Sequence, residues 1–153
     1  MVKSYKGVAV VKSGKAEPQL VRAEDYMTRR LITFHPDETM DVVIKTLISK
    51  KISGGPVVDN DGRLVGVISE GDCLKEVVRG KYNNTPNLCG TVSEHMSRDV
   101  YTITPDTNIF EVAKKFLEIK LRRFPVVKDG KLLGQISQRD VMRACEQLKD
   151  TTW

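Results

Sequence analysis

Cysteine is scarce in this 153-residue chain, and the three present, Cys73, Cys89 and Cys145, are placed so as to exclude two kinds of chemistry. They form no C-x-x-C pair, the spacing of zinc ribbons and thiol redox motifs. Their odd number, in a chain that opens without a secretory pattern, reads as reduced bystander thiols and not a disulfide framework. Histidine is scarcer still. His35 and His95 are the only two, and neither has a matched nucleophile or a metal-ligand spacing around it, so catalysis is not expected and no metal is expected to be required. Long apolar runs are missing as well: nothing approaches the roughly 20 residues of a bilayer-spanning helix, so no membrane partner is expected. The opening stretch MVKSYKGVAVVKSGK has a short apolar segment between lysines, unlike a secretory signal, and the cytoplasm is the expected location.

Acidic charge is thin at one end only. The chain carries a formal +5, and residues 1–23 hold Lys3, Lys6, Lys12, Lys15 and Arg22 against the single acid Glu17, which leaves the remainder near +1. A nucleic-acid face normally presents a basic stripe with aromatics or a recognisable motif. The body has neither, so nucleic acid is disfavoured as a partner, and an adaptor that uses the basic N-terminal segment is the alternative reading.

What the chain does have is an internal repeat. Residues 27–76 align with residues 96–144 at an offset of 69, then 68 after one deletion in a turn, with 18 identities. Met27 matches Met96, Pro36-Asp37 matches Pro105-Asp106, and PVV recurs at 56–58 and 125–127. GVISEGD at 66–72 returns as GQISQRD at 134–140. The chain is a tandem duplication.

Each copy implies the same elements. Thr39 and Asn108 are N-cap candidates, Asn108 with Glu111 in the pattern of a capping box. Behind them Met40, Val43, Ile44, Leu47 and Ile48, and then Ile109, Val112, Ala113, Phe116 and Leu117, recur at helical spacing. GPVVD and FPVVK read as short buried strands, and DNDG and KDG as tight hairpins. A calcium loop is excluded at Asp59-Asn60-Asp61-Gly62, because its twelfth position would fall on Ile68. The second strand of each copy runs into a helix that starts at Ser69 or Ser137. The fold class is therefore α/β (α+β), with two βαββα repeats packed in pseudo-two-fold symmetry, since a unit of about 55 residues makes a marginal core alone. The expected divisions are a basic segment at 1–23, repeat 1 at 24–79, a connecting loop at 80–92 and repeat 2 at 93–149. GVAVV in the basic segment reads as a further strand.

The repeated Ser-x-x-Asp has two readings. One is a capping box, with the serine oxygen on the third amide and the carboxylate reaching back, which contributes about 1 kcal/mol. The other is a ligand site, because a helix N-terminus offers free amides and a positive dipole end to an anion, and a carboxylate there can take both hydroxyls of a ribose. In the second copy Arg139 lies within the motif and Arg122 and Arg123 precede the buried strand, well suited to bidentate contact with phosphate.

These residues carry a resemblance. The segments YMTRRLITFHPDETMDVV and KKISGGPVVDNDGRLVGVISEGDCL, followed by HMSRDVYTITPDTNIFEVA and IKLRRFPVVKDGKLLGQISQRDVM, resemble a pair of cystathionine β-synthase (CBS) domains, the Bateman module. The resemblance covers residues 24 to about 149, and the chain is similar to a stand-alone pair. It implies a non-catalytic regulatory module for adenine nucleotides (AMP, ADP or ATP, with S-adenosylmethionine or NAD in the same class), bound in two clefts between the copies and coupled to a regulated protein of unknown identity or to oligomer conformation. The implied assembly is a homodimer. Carried over residue by residue, one cleft draws on Ser137, Asp140, Arg139, Arg122, Arg123 and Phe124, together with His35 and Ile52. The other draws on Ser69 and Asp72, with Ser53, Gly54, Thr102, Thr104 and Leu121. The aspartates would hold ribose, backbone beside PVV would read adenine, and Arg122 would face phosphate. ISGGPVV departs from this pattern by having no arginine, so the Asp140 cleft is the one expected to be filled.

Overall fold

A computed structural model describes residues 2–5, 21–84 and 90–148. The expected strand GVAVV lies outside them; the described N-terminal strand is β1, Val2–Tyr5. Two compact units emerge, and they cut across the linear repeats. Among the described residues, Val2 with 32–84 and 90–100 make the first, and 3–5, 21–31 and 101–148 make the second.

In the first unit, α2 (Met40–Lys50) starts where Thr39 Oγ1 accepts from Val42 N at 3.4 Å, and it stops at Lys51, whose φ of 54° breaks the helix. Its Met40, Val43 and Leu47 are buried, as the helical spacing predicts. β2 (Gly54–Val58) pairs antiparallel with β3 (Leu64–Ser69), Gly54 opposite Ser69. The hairpin closes on Asp59, whose Oδ1 accepts from the amides of Asp61 and Arg63, both at 2.9 Å, with Gly62 at φ 77°. α3 then runs from Glu70 to Tyr82. It continues into the residues assigned to the connecting loop, and α4 (Val92–His95) begins at that loop's last residue.

The second unit contains α1 (Ala23–Tyr26), all but the first residue of β4 (Val100–Ile103), α5 (Ile109–Glu118), β5 (Arg123–Lys128), β6 (Lys131–Ser137) and α6 (Gln138–Leu148). Its sheet has the order β1-β4-β5-β6, with β4 parallel to β5 and β5 antiparallel to β6. Asn108 caps α5 by accepting from Phe110 N at 2.8 Å. The first unit has no strand that matches β4. Its counterpart is a single parallel bridge, Phe34 to Val57. β4 is hydrogen-bonded on both sides, by β1 and β5, whereas Phe34 exchanges its ladder bonds only with the backbone of Pro56 and Val58.

The opening segments of the two repeats change places. Ala23 N and Glu24 N donate to the carbonyls of Thr107 and Pro105, and Thr28 exchanges two bonds with Gln135. One repeat later, Val92 N and Ser93 N donate to Glu38 and Pro36, and Ser97 exchanges two bonds with Val67. Each short helix thus folds onto the strands of the other copy. This pairing explains the shared methionine and glycine. A β-carbon on Gly66 would lie 2.7 Å from Met96 Sδ and from the Ser97 carbonyl, and one on Gly134 would lie 2.8 Å from Met27 Sδ and 2.7 Å from the Thr28 carbonyl. Only hydrogen fits there.

Candidate functional site

Both strand-to-helix joins fold as capping boxes. At α3, Ser69 is extended (φ −137°, ψ 168°), its amide donates to Asp72 Oδ2 at 2.8 Å and its hydroxyl to the same oxygen at 3.1 Å. At α6, Ser137 makes the same pair of bonds to Asp140 Oδ2, at 2.8 and 2.9 Å, and accepts from Asp140 N at 3.2 Å. Each carboxylate therefore spends one oxygen on the cap. The other oxygen distinguishes the repeats. Asp72 is half-buried and its Oδ1 has no hydrogen-bond partner among the described residues. Asp140 is 7% exposed, and its Oδ1 accepts from Arg143 Nη2 at 2.7 Å.

The strands bring further expected residues to these helix starts. Ser53 O accepts from Glu70 N at 2.9 Å and Gly54 faces Ser69, so both lie at the head of α3. Arg123 faces Ser137, and Leu121 O accepts from Gln138 Nε2 at 3.3 Å, which places both at the head of α6. Arg122, Arg123 and Arg139 are exposed and form no ion pair among the described residues. The first repeat cannot carry a match for Arg123: a β-carbon on Gly54 would lie 2.6 Å from the Ile68 carbonyl.

Other expected residues are turned to local work. Phe124 is wholly buried, backbone included, its ring centroid 4.5 Å from that of Phe116, so it belongs to the core. Thr102 is 2% exposed, and the Thr104 hydroxyl bonds Thr107 at 2.8 Å. Ile52 is partly buried against the first unit's core. His35 Nδ1 accepts from Asp37 N at 3.1 Å, and Nε2 lies 2.9 Å from Asn60 Oδ1. With Nδ1 accepting, the ring proton sits on Nε2 and is donated to Asn60.

Three features escaped the sequence reading. Arg143, three residues beyond Asp140, stands at helical pairing distance, and the signal was readable. Arg143 Nη2 also reaches the Tyr26 carbonyl at 3.5 Å, and the Tyr26 hydroxyl bonds Gln147 Oε1. Where these residues tie α1 to α6, the first unit has a buried pair, with His95 Nε2 3.4 Å from Glu76 Oε2. Finally, an apolar groove of about 330 Å³ lies along α2 and α3, lined by Ile44, Leu47, Ile48, Cys73, Leu74 and Val77 with Glu70. Among the described residues there is no cluster of ligands for a metal ion and no helix long and apolar enough to cross a membrane.

Comparison with known proteins gives a consistent result. The family model described as CBS domain matches residues 23–79 and again 92–147. The CBS domain-containing protein CBSX2, chloroplastic, of Arabidopsis thaliana is 32% identical over 154 residues, covering 84% of this chain and 65% of that protein. The chain thus spans just under two-thirds of the length of that relative. The crystal structure of CBSX2 in complex with AMP is 34% identical, with a TM-score of 0.72 over 84% of this chain and 98% of that one. The CBS domain pair of protein MJ0100, crystallised in complex with 5′-methylthioadenosine and S-adenosyl-L-methionine, is 28% identical, with a TM-score of 0.66 over 84% of this chain and 98% of that one.

Proposed function

The chain belongs to the CBS domain family, and from that membership we propose that it is a non-catalytic regulatory module that binds adenosine-containing ligands, AMP, ADP or ATP before S-adenosylmethionine or NAD. The ligands of the similar structures, AMP in one and 5′-methylthioadenosine with S-adenosyl-L-methionine in the other, share an adenosine and differ in what is attached to it. The reading rests on one observation above the rest: at the start of α3 and of α6 a capping carboxylate lies beside the end of a strand, with Gly54 opposite Ser69 and Arg123 opposite Ser137. Asp72 and Asp140 take ribose hydroxyls, while backbone at Ser53–Gly54 and at Leu121–Arg123 reads adenine. Exposed Arg122, Arg123 and Arg139 favour a phosphate in the second repeat. Binding acts by linkage. A ligand that prefers one arrangement of the protein shifts its affinity for a partner, by about 1–3 kcal/mol in typical cases.

A homodimer is part of the proposal. Ile48 and Leu117, 73% and 85% exposed, occupy matching positions in the two repeats, as do Leu74 and Met142, 64% and 63% exposed. A duplicated apolar helix face fits a second copy of the chain. Sedimentation of wild type against Ile48→Asp with Leu117→Asp tests this: a dimer that becomes a folded monomer supports it, and a wild-type monomer sinks it.

Ligand binding is tested by thermal shift with adenosine, AMP, ADP, ATP, S-adenosylmethionine and NAD on wild type, Asp72→Ala and Asp140→Ala. A ligand at about 100 times its Kd adds roughly 2.7 kcal/mol, a shift of a few degrees at this size. A shift lost in one or both variants supports the reading. No shift with any compound would leave Ser-x-x-Asp as a helix cap only.

A further inference from the structure

Asp140 is already in use. One oxygen closes the cap with Ser137, and the other is held at 2.7 Å by Arg143 Nη2. A ribose diol that approaches this carboxylate must displace a cation or share its oxygen. The matching carboxylate of the first repeat meets no such obstacle. Lys75 stands at the position of Arg143, and Asp72 Oδ1 has no partner among the described residues. Duplicated sites of nearly identical sequence are therefore unequal in what they offer a ligand.

The same Arg143 nitrogen has a second contact. Nη2 lies 3.5 Å from the Tyr26 carbonyl at the end of α1. A single nitrogen touches both groups, so a swing of the guanidinium away from Asp140 also leaves Tyr26. α1 is tied to α6 also by the Tyr26 hydroxyl on Gln147, and its ends are held by backbone bonds to Thr107, Pro105 and Gln135. Four residues cannot persist as an isolated helix, so α1 depends on such contacts.

We propose that Arg143 is a latch on the Asp140 ribose subsite, and that seating a ribose there releases Arg143 from Asp140 and from the Tyr26 carbonyl together, loosening α1. This rests on the adenosine reading above and adds its regulation. The second repeat binds with a penalty and transmits the event to the segment at residues 22–28, whereas the first repeat binds without either. The latch is a half-exposed pair, Arg143 56% and Asp140 10% exposed at the side chain, so its strength is that of a surface pair and not of a buried one.

The experiment is calorimetry with AMP in an Asp72→Ala background, where only the second repeat reports, on the full chain with Arg143, Arg143→Lys and Arg143→Met. Hydrogen exchange at residues 22–28 is followed alongside. Removing the latch should tighten AMP about three- to fivefold, the span of a half-exposed ion pair, with Arg143→Lys between the two. AMP should speed exchange at residues 22–28 when Arg143 is present. In Arg143→Met that exchange should be fast before AMP is added and gain nothing from it. Affinity unchanged or weakened in Arg143→Met, or exchange that AMP slows at residues 22–28 in both, overturns the latch while leaving the adenosine reading intact. Wild type, with both aspartates, that gives no heat with AMP overturns the AMP reading, and the latch falls with it.

Discussion

In the first unit the aromatic bulk of the core comes from Phe34, 2% exposed, on the segment before α2. In the second it comes from Phe124, 0% exposed, on β5, and from Phe116 on α5, which packs against it. The positions are exchanged: Ile103 stands where Phe34 would, and Gly55 stands where Phe124 would. Gly55 is glycine because the ring fills its place. A β-carbon there would lie 3.0 Å from Phe34 Cε2 and 2.9 Å from the Ile32 carbonyl. The duplicated cores place their rings at different positions, and the residue opposite each ring changes size with it.

That comparison can be broken most forcefully at the two rings. Phe34→Ala and Phe124→Ala should each cost about 3–5 kcal/mol, read as a fall in the denaturant midpoint at constant slope. Gly55→Phe alone should be worse than Gly55→Phe combined with Phe34→Ile, which imports the second unit's pair. If the double change is no better than the single, the two cores are not exchanging one volume.

The next test keeps the comparison and asks for equality. Gly66 and Gly134 meet the same groups of their opposite opening segments, methionine sulfur and a carbonyl, at 2.7–2.8 Å. Gly66→Ala and Gly134→Ala should each destabilise by about 1–3 kcal/mol. Pairing either with its methionine shortened, Met96→Ala or Met27→Ala, should not recover the loss, because the carbonyl clash remains. A cost at one glycine and none at the other would mean that the opening segments are not held alike.

Much of this was legible in the chain. The repeat, the helices capped by Thr39 and Asn108, both hairpins and both Ser-x-x-Asp joins follow from local spacing and turn chemistry, where neighbours in sequence decide the outcome. The exchange of opening segments was not legible. Met27 and Met96 are as compatible with packing on their own repeat as on the other, and only the carbonyls of Thr107 and Glu38, far along the chain, choose between them. Phe124 was readable in two ways, as part of the buried strand FPVVK and as a cleft residue, and it belongs to the core. The alternation of β5 places it inward only once Phe116 supplies the facing ring. Of the site, the caps were readable and the Asp140–Arg143 pair was available at i, i+3. The tie to Tyr26 spans 117 residues and leaves no local trace.

A smaller difference should appear at the two aspartates without any ligand. Asp72→Ala and Asp140→Ala both lose a cap, worth about 1 kcal/mol. Asp140→Ala also strips Arg143 of its partner, an addition of about 0.5 kcal/mol at a half-exposed site. Thermal melts of the two variants in low salt should separate by a degree or two, and the gap should close as salt screens the pair. Equal melts in low salt would mean that the Arg143 contact contributes nothing to the resting fold.

The smallest effect concerns Cys73, whose place in the second repeat is taken by Val141; both are 6% exposed. Burial pushes the Cys73 thiol above its ordinary value of 9.0, and the charges of Asp72 and Glu70 push it the same way. A group whose folded value lies above its unfolded one adds stability that is whole below the unfolded value. That stability is lost as pH rises through the folded value, because the unfolded chain ionises first. Stability should therefore begin to fall as pH passes the ordinary thiol value. Cys73→Val imports the second repeat's residue at similar volume, so its cost at neutral pH should stay under about 1.5 kcal/mol, and this part of the alkaline decline should vanish. The comparison is urea unfolding of both proteins at neutral pH and again above pH 9. If the gap between their midpoints is the same at both, the Cys73 thiol does not titrate differently in the fold, and the valine of the second repeat is a substitute in every respect.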